Sequence, residues 1–335
     1  MKVEQNISLK PYNSFGIDVK AAYFAEFNNE NEAVELLQEY GKYRPLILGG
    51  GSNILFKGNY EGIVLRNKIK GIRIVKENTT EAVIECGGGE VWNDLVNFAV
   101  SRNLGGLENL SLIPGSAGAA PIQNIGAYGV EQKDSFESLE AFLINKKTIQ
   151  VFEANDCAFG YRDSIFKRTL KGNFVILKVR YRLSKFPVIN TEYGAIREKL
   201  NALGVTAPGI ADVSKAVTEI RKSKLPDPAI IGNAGSFFKN PVVSHEMFIH
   251  LKSQYPNIPS FPAENGIKIP AAWLIETCGW KGYRKGDAGC YIHQPLVLVN
   301  YGKASGNEIY NLSEEILQSV KERFGIVLER EVNVI

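Results

Sequence analysis

The sequence predicts an α+β fold with several separate sheets. Short apolar runs of strand character alternate irregularly with amphipathic helical segments. The glycine clusters lie between strands or in long small-residue stretches, outside the strand–glycine–helix order of a doubly wound sheet. With 335 residues the chain can hold two or three domains and bury a large core without staples.

The elements follow in chain order. Asn29 can cap a helix running to Tyr40, because Ala33, Leu36, Leu37 and Tyr40 fall on one face. PLIL is a strand, and ILF, beyond the glycines at Gly49–Asn53, is another, so that loop joins strand to strand. Glu81–Cys86 is a strand, followed by Gly87, Gly88 and Gly89 and a helix from Val91 to Arg102. Leu107–Tyr128 is an ordered loop region. Ala141–Asn145 and Asn173–Leu183 are strands, and Asp212–Lys222 is a helix. KLPDP at Lys224–Pro228 breaks that helix and marks a domain junction. Ala271–Trp280 is a helix ending near Gly279, and Pro295–Asn300 is a strand. Asn307–Phe324 is an amphipathic helix stopped by Gly325. The closing IVLEREVNVI is expected to be a strand.

Composition excludes several classes. The content is 44% hydrophobic and 22% charged, ordinary for a soluble globular protein. A net charge of +3 is too small to argue for nucleic acid, though its sign would help steer an anionic small substrate. The four cysteines, Cys86, Cys157, Cys278 and Cys290, form no CxxC pair, and with three histidines a zinc site is not expected. Reduced, partly buried thiols are expected instead. No apolar run has the length of a membrane span, and the first residues lack a signal-peptide core, so a cytoplasmic protein without membrane contact is expected.

Two small-residue segments carry the chemical signal. At Gly49, Gly50, Gly51, Ser52 and Asn53, glycines would let backbone approach phosphate oxygens, and successive N–H groups can form an anion nest. A tight turn between strands remains an alternative. No lysine with a following Ser or Thr makes a P-loop, and Trp92 occupies the third glycine position of a Rossmann fingerprint. Gly87–Gly89 is therefore read as a turn into a helix. Pro114–Gly129 (PGSAGAAPIQNIGAYG) holds four glycines and four alanines without charge, so it is expected to pack close to something flat or phosphorylated. Together the two segments could grip the two ends of a dinucleotide.

Those residues, with others, carry a resemblance. NSFG at Asn13, LGGGSNILF at Leu48, GLENLSLIPGSAGAAPIQNIGAYGVE from Gly106, FGYRDSIFK from Phe159, KLPDP at Lys224, GNAGSFFKNP from Gly232 and the closing LEREV run nearly end to end. The chain resembles the type I branch of the UDP-N-acetylenolpyruvoylglucosamine reductases. The resemblance implies a FAD-binding part of the vanillyl-alcohol-oxidase (PCMH) type in two subdomains, residues 1–69 with 326–335 and residues 70–224. A C-terminal α+β substrate domain would cover residues 225–325. It implies non-covalent FAD, NADPH as co-substrate, a nucleotide-sugar substrate and a monomer. NADPH would reduce the flavin, and after NADP leaves, hydride would pass to the enolpyruvyl group to give UDP-N-acetylmuramate.

The matched positions give a candidate site. The cofactor would lie on Gly49, Gly50, Gly51, Ser52 and Asn53 and on Pro114, Gly115, Ser116, Gly118, Ala119, Ile122, Asn124, Gly126 and Ala127. Hydride addition to an enol ether conjugated to a carboxylate needs a cation or acid near that carboxylate and a proton donor above the second carbon. By resemblance these are Arg162, Glu331 and Ser236. From the residues alone, Arg162 reads rather as a surface partner of Asp163 and Ser236 as a turn serine, and nothing local excludes a solvated face that Glu331 shares with Glu329; the matched motifs reverse these readings. Tyr193, in a lid segment, Lys224, Asn240 and Gln294 would bind the nucleotide sugar. Phe261 stands where the family can carry a tyrosine, which puts one substrate hydrogen bond in doubt. His245, His250 and His293 lie in no matched catalytic motif. Rival readings are another flavin oxidoreductase on this scaffold, a nucleotide-sugar transferase, and a non-catalytic binding protein.

Overall fold

The computed structural model describes residues 2–335. They form two compact units, between which the chain threads repeatedly. The first comprises residues up to Ile7, Ala21–Gly50 and Glu61–Ser223; the second comprises Ser8–Lys20, Gly51–Tyr60 and Lys224–Ile335.

The first unit contains two larger sheets and a two-stranded ribbon that pairs Gly126–Ala127 with Val130–Glu131. One has the strand order Glu4–Ser8, Lys20–Phe27, Tyr60–Asn67, Leu46–Leu48, with the last two parallel. Helix α1 (Glu30–Tyr40) starts where Asn29 accepts a hydrogen bond from the Glu32 N–H, and it buries Ala33, Leu36 and Leu37. The other sheet is antiparallel, in the order Thr148–Glu153, Phe136–Leu143, Phe174–Ser184, Glu81–Gly87, Ile72–Glu77. It separates two cores. Val175 and Leu177 face the core that holds Leu36 and Ile63, whereas Val179, Tyr181 and Leu183 face the core that holds Trp92 and Leu95 of helix α2 (Trp92–Ser101). Strict alternation would put all five on one side. A bulge resolves this: Glu140 pairs with Lys178 and Ala141 with Ile176, which leaves Leu177 as the extra residue.

Helices α3 (Gly194–Ala202) and α4 (Ile210–Lys224) pack through Ile196, Leu200, Val213, Val217 and Ile220, with Tyr128 against them. Helix α4 exceeds its expected span at both ends.

The second unit holds α5 (His245–Gln254), α6 (Ala271–Thr277) and α7 (Gly306–Phe324). Ser305 and Glu308 form a reciprocal capping box on α7, and Gly325 ends it at φ +69°. A sheet runs in the order Gly232–Ser236, Val297–Asn300, Ala288–Cys290, Arg284–Lys285. A second joins Val242–Val243, Gly266–Lys268 and Phe261–Ala263. The closing segment differs from the expected strand. Only Asn333–Val334 forms a ladder, parallel to Ile54–Leu55. Ahead of it, Ile326, Leu328 and Val332 are buried at alternate positions, but regular pairing stops because the neighbouring 237–239 stretch offers a single bridge, Phe238 to Arg330.

Candidate active site

In the first unit the glycine segments touch each other. An added Cβ on Gly49 would lie 2.2 Å from the Ser116 Oγ, and one on Gly50 would lie 3.0 Å from the Gly115 Cα. The Gly115–Gly118 stretch is held in turn by the second glycine triplet. Trp92 N–H donates to the Gly115 carbonyl (3.0 Å), Ala117 N–H to that of Glu90 (2.8 Å) and Gly118 N–H to that of Gly88 (2.9 Å). A Cβ on Gly88 would meet the Ile176 carbonyl at 2.3 Å, so this triplet is a packing seat and a turn into α2. The result is a bed of small residues in which Gly49 and Gly50 lie directly against Gly115 and Ser116. Such a bed fits an extended dinucleotide, whose phosphates need close N–H donors and no intervening side chains.

Arg162 sits at φ +54° in the turn Gly160–Asp163, which closes with N–H to carbonyl bonds in both directions (3.0 and 3.2 Å). Its Nη2 donates to the Gly126 carbonyl at 2.5 Å, which places the guanidinium on the small-residue bed. Asp163 pairs with Arg168 (3.1 Å) and accepts from Ser164 N–H (2.9 Å). Tyr193, the residue before α3, is exposed and stacks edge-on against Tyr128 at 5.2 Å.

The second unit holds the remaining candidates. Gly51 is at φ +63°, where an added Cβ would lie 2.0 Å from the Tyr12 carbonyl. Its carbonyl accepts from Ser14 N–H (3.0 Å), and the Ser14 carbonyl accepts from Asn233 N–H (3.0 Å). The NSFG motif thereby connects the glycine loop to the GNAGSFF strand. That strand has an irregularity between Asn233 and Ser236, with Gly235 at φ +69° and its N–H held by the Asn233 Oδ1 (3.0 Å). This kink presents Ser236. The N–H of Glu331 donates to the carbonyl of Phe237 (2.8 Å), so the Ser236 and Glu331 backbones are neighbours. Asn53 Nδ2 donates to the Glu331 carbonyl (3.3 Å), which also ties the end of the glycine loop there. Glu329 is mostly exposed and paired with Lys239 at 2.5 Å, whereas Glu331 is half-buried.

Among the substrate candidates in this unit, Asn240 accepts from Ala271 N–H (2.9 Å) at the start of α6, and Gln294 caps the turn into Val297–Asn300 through its carbonyl (3.0 Å). Lys224 is exposed at the end of α4, and Phe261 is 52% exposed. Ser52 is half-buried.

Sequence reasoning passed over Arg221. Its Nε donates to the Leu112 carbonyl (3.2 Å) and it hydrogen-bonds Tyr128, both neutral partners. Burial depresses its guanidinium below the ordinary value, and the nearby charge of Arg162 acts the same way. The signal was present: Arg221 follows Val213 and Val217 at four-residue spacing, an arginine on the core-facing stripe of α4. Among the described residues, no cluster of three or more His, Cys, Asp or Glu could hold a metal, and no helix is long and apolar enough to cross a membrane. All four cysteines are free.

Comparisons with known proteins bear on the whole chain. Residues 227–335 match the C-terminal domain of UDP-N-acetylenolpyruvoylglucosamine reductase, and residues 21–151 match an FAD binding domain. The reductase of that name from Pseudomonas syringae pv. tomato is 49% identical, over 100% of this chain and 99% of its own length. That from Amoebophilus asiaticus is 48% identical over the full length of both. The crystal structure of the Thermus caldophilus enzyme superposes with a TM-score of 0.71 at 25% identity, covering 100% of this chain and 99% of that one. At the level of fold alone, 6-hydroxy-D-nicotine oxidase from Arthrobacter nicotinovorans is similar, with a TM-score of 0.53 at 13% identity over 97% of this chain and 86% of its own. Nearly half the residues are shared with full-length relatives, and both domain models match, so the chain belongs to the UDP-N-acetylenolpyruvoylglucosamine reductase family.

Proposed function

We propose that this enzyme of peptidoglycan precursor synthesis uses NADPH to reduce the enolpyruvyl group of its UDP-sugar through Arg162, Ser236 and Glu331. Two observations support the assignment, one within each unit. Arg162 lies on the small-residue bed at Gly126, and Glu331 lies beside the strand that carries Ser236. FAD would be held non-covalently along Gly49–Asn53 and Pro114–Ala127, where it supplies hydride chemistry. Residues 1–69 with 326–335 and residues 70–224 would form its two subdomains, and residues 225–325 would take the sugar nucleotide. The reaction belongs in the cytoplasm, with the protein acting as a monomer.

Reduction places hydride on the terminal carbon of the enol ether and charge on the carbon that bears the carboxylate. The Arg162 guanidinium can grip that carboxylate with two charge-assisted hydrogen bonds as the charge spreads into it. Glu331 would assist from the closing segment beside Phe237, and the Ser236 hydroxyl would deliver the proton that completes the product. Lys224 offsets diphosphate charge as a point cation, while Asn240 and Gln294 orient the nucleotide sugar. Tyr193, in the segment before α3, would contribute as a lid residue.

Ser236→Ala tests the assignment, because the two half-reactions can be timed separately by flavin absorbance. Bleaching by NADPH should keep its parent rate, while recovery on adding the enolpyruvyl sugar should slow by about 10²- to 10⁴-fold. Equal slowing of both would assign Ser236 to flavin positioning, and no slowing of either would remove it as proton donor.

A further inference from the structure

We propose that Asn124 and Ser164 are positioning residues for Arg162, lacing its turn to the small-residue bed so that the guanidinium's aim and the bed are fixed together. The proposal rests on the role assigned to Arg162 above.

Three cross-links join the segment 122–126 to the turn 160–164 at every second residue. Ser164 Oγ donates to the Ile122 carbonyl at 2.6 Å, Asn124 Nδ2 to the Gly160 carbonyl at 3.0 Å, and Arg162 Nη2 to the Gly126 carbonyl at 2.5 Å. Both Asn124 and Ser164 are fully buried. The Asn124 amide is saturated. Its Nδ2 also donates to Glu131 Oε2 (2.9 Å), and its Oδ1 accepts from Lys133 N–H (3.2 Å) and Gln132 Nε2 (3.3 Å). A buried, four-fold-bonded amide can reach a ligand only by way of its partners. Gln132 continues the lacing inward, where its Oε1 accepts from the buried Tyr181 hydroxyl on the central strand Phe174–Ser184 (3.0 Å).

The backbone gives the lacing its purpose. Asn124 at φ +44° and Arg162 at φ +54° are non-glycine residues in the left-handed region. Such a conformation persists only where surrounding contacts over-determine it. In the Arg162 turn these contacts are the two reciprocal backbone bonds and the three cross-links. Without the Ser164 and Asn124 ties the turn can relax, and the guanidinium swings with it.

A double-mutant cycle on the FAD-loaded enzyme tests this. Ser164→Ala removes one tie at nearly constant volume, and Asn124→Asp replaces the donor to Gly160 with an acceptor. At saturating enolpyruvyl sugar, each should slow flavin re-oxidation by about 10- to 100-fold, the scale of a misplaced catalytic group. In Ser164→Ala, flavin reduction by NADPH and binding of UDP-N-acetylglucosamine, which lacks the carboxylate, should not change. In an Arg162→Lys background, Ser164→Ala should add less than about twofold, because its effect runs through the missing guanidinium. Equal slowing by Ser164→Ala in both backgrounds would show a general structural role and overturn the proposal, as would no slowing in the parent. Should Asn124→Asp fail to fold, Ser164→Ala decides the matter alone. Arg162→Lys by itself no slower than the parent would instead refute the role of Arg162, and the positioning with it.

Discussion

Replacing Gly51 with alanine should destabilise the protein well beyond the same change at Gly16. Both glycines belong to the second unit and both sit in the left-handed region, at φ +63° and +65°. A left-handed alanine costs roughly 1–2 kcal/mol. At Gly16 an added Cβ meets nothing within 4 Å, so that is the whole cost there. At Gly51 the Cβ would lie 2.0 Å from the Tyr12 carbonyl oxygen, 2.9 Å from its carbon and 3.1 Å from the Asn13 Cα. Backbone cannot rotate out of the way as a side-chain tip can. Overpacking of this kind adds about 1–3 kcal/mol. Gly51→Ala should therefore cost about 2–5 kcal/mol in all. At about 2 °C per kcal/mol, the lower end for large chains, Gly16→Ala should lower Tm by a few degrees and Gly51→Ala by roughly twice that. Thermal unfolding followed by tryptophan fluorescence, with and without FAD, separates loss of the scaffold from loss of cofactor. A Gly51→Ala protein as stable as Gly16→Ala would refute the close approach of the glycine loop to Tyr12.

Two further outcomes follow from charge and burial. Burial alone would push the Glu85 carboxyl up, but hydrogen bonds from Arg180 and Arg73, both at 2.6 Å, bring it below the usual carboxylate range. A carboxylate depressed in the folded state stabilises above its unfolded pKa, about 4.3, and loses that contribution as pH falls through the folded value. Glu85→Gln should therefore lower the urea midpoint at pH near 7 and approach the parent in strong acid; a difference independent of pH would count against the pairing. Burial pushes the Cys157 and Cys290 thiols up to about 12, so neither should be alkylated in the native protein near pH 8, while both should react at once after denaturation. Rapid native labelling of either, read by mass spectrometry, would contradict their burial.

Much of this molecule was legible in its residues. The Asn29 cap, the Gly325 stop and the strand-to-strand glycine loop follow from local chemistry that tertiary contacts do not override. The closing segment was not legible in the same way. Its alternation is real, but whether an alternating stretch becomes a ladder depends on its partner, and the 237–239 stretch pairs with it only at one bridge. The two faces of Phe174–Ser184 were hidden for a related reason, since the bulge at Leu177 is a property of the pairing with Phe136–Leu143. In the site, the small-residue segments advertise themselves by composition. Asn124 and Ser164 do not, because their importance lies in which carbonyls they meet across 36 and 42 residues of sequence. Arg221 was visible as a charge on an apolar helical stripe, a signal outweighed by the stronger KLPDP break beside it.

The threading of the chain has a consequence for its birth on the ribosome. The second unit takes Ser8–Lys20 and Gly51–Tyr60 from the beginning of the sequence and everything from Lys224 to the end. Ile54–Leu55 pairs with Asn333–Val334, and the Phe15 carbonyl accepts from Asn300 Nδ2 (2.9 Å). At about 5–20 residues per second, those early segments wait for tens of seconds before their partners emerge. During that interval Phe15, Leu55 and Phe56, each almost fully buried in the finished protein, have no native cover from the unit they belong to. The nascent chain thus exposes apolar stretches of the kind chaperones bind, and the second unit closes only once Asn333–Val334 has emerged to pair with Ile54–Leu55. A fragment cut at Lys224 inherits the same defect permanently: residues 224–335 alone lack the strand that pairs with their own last residues.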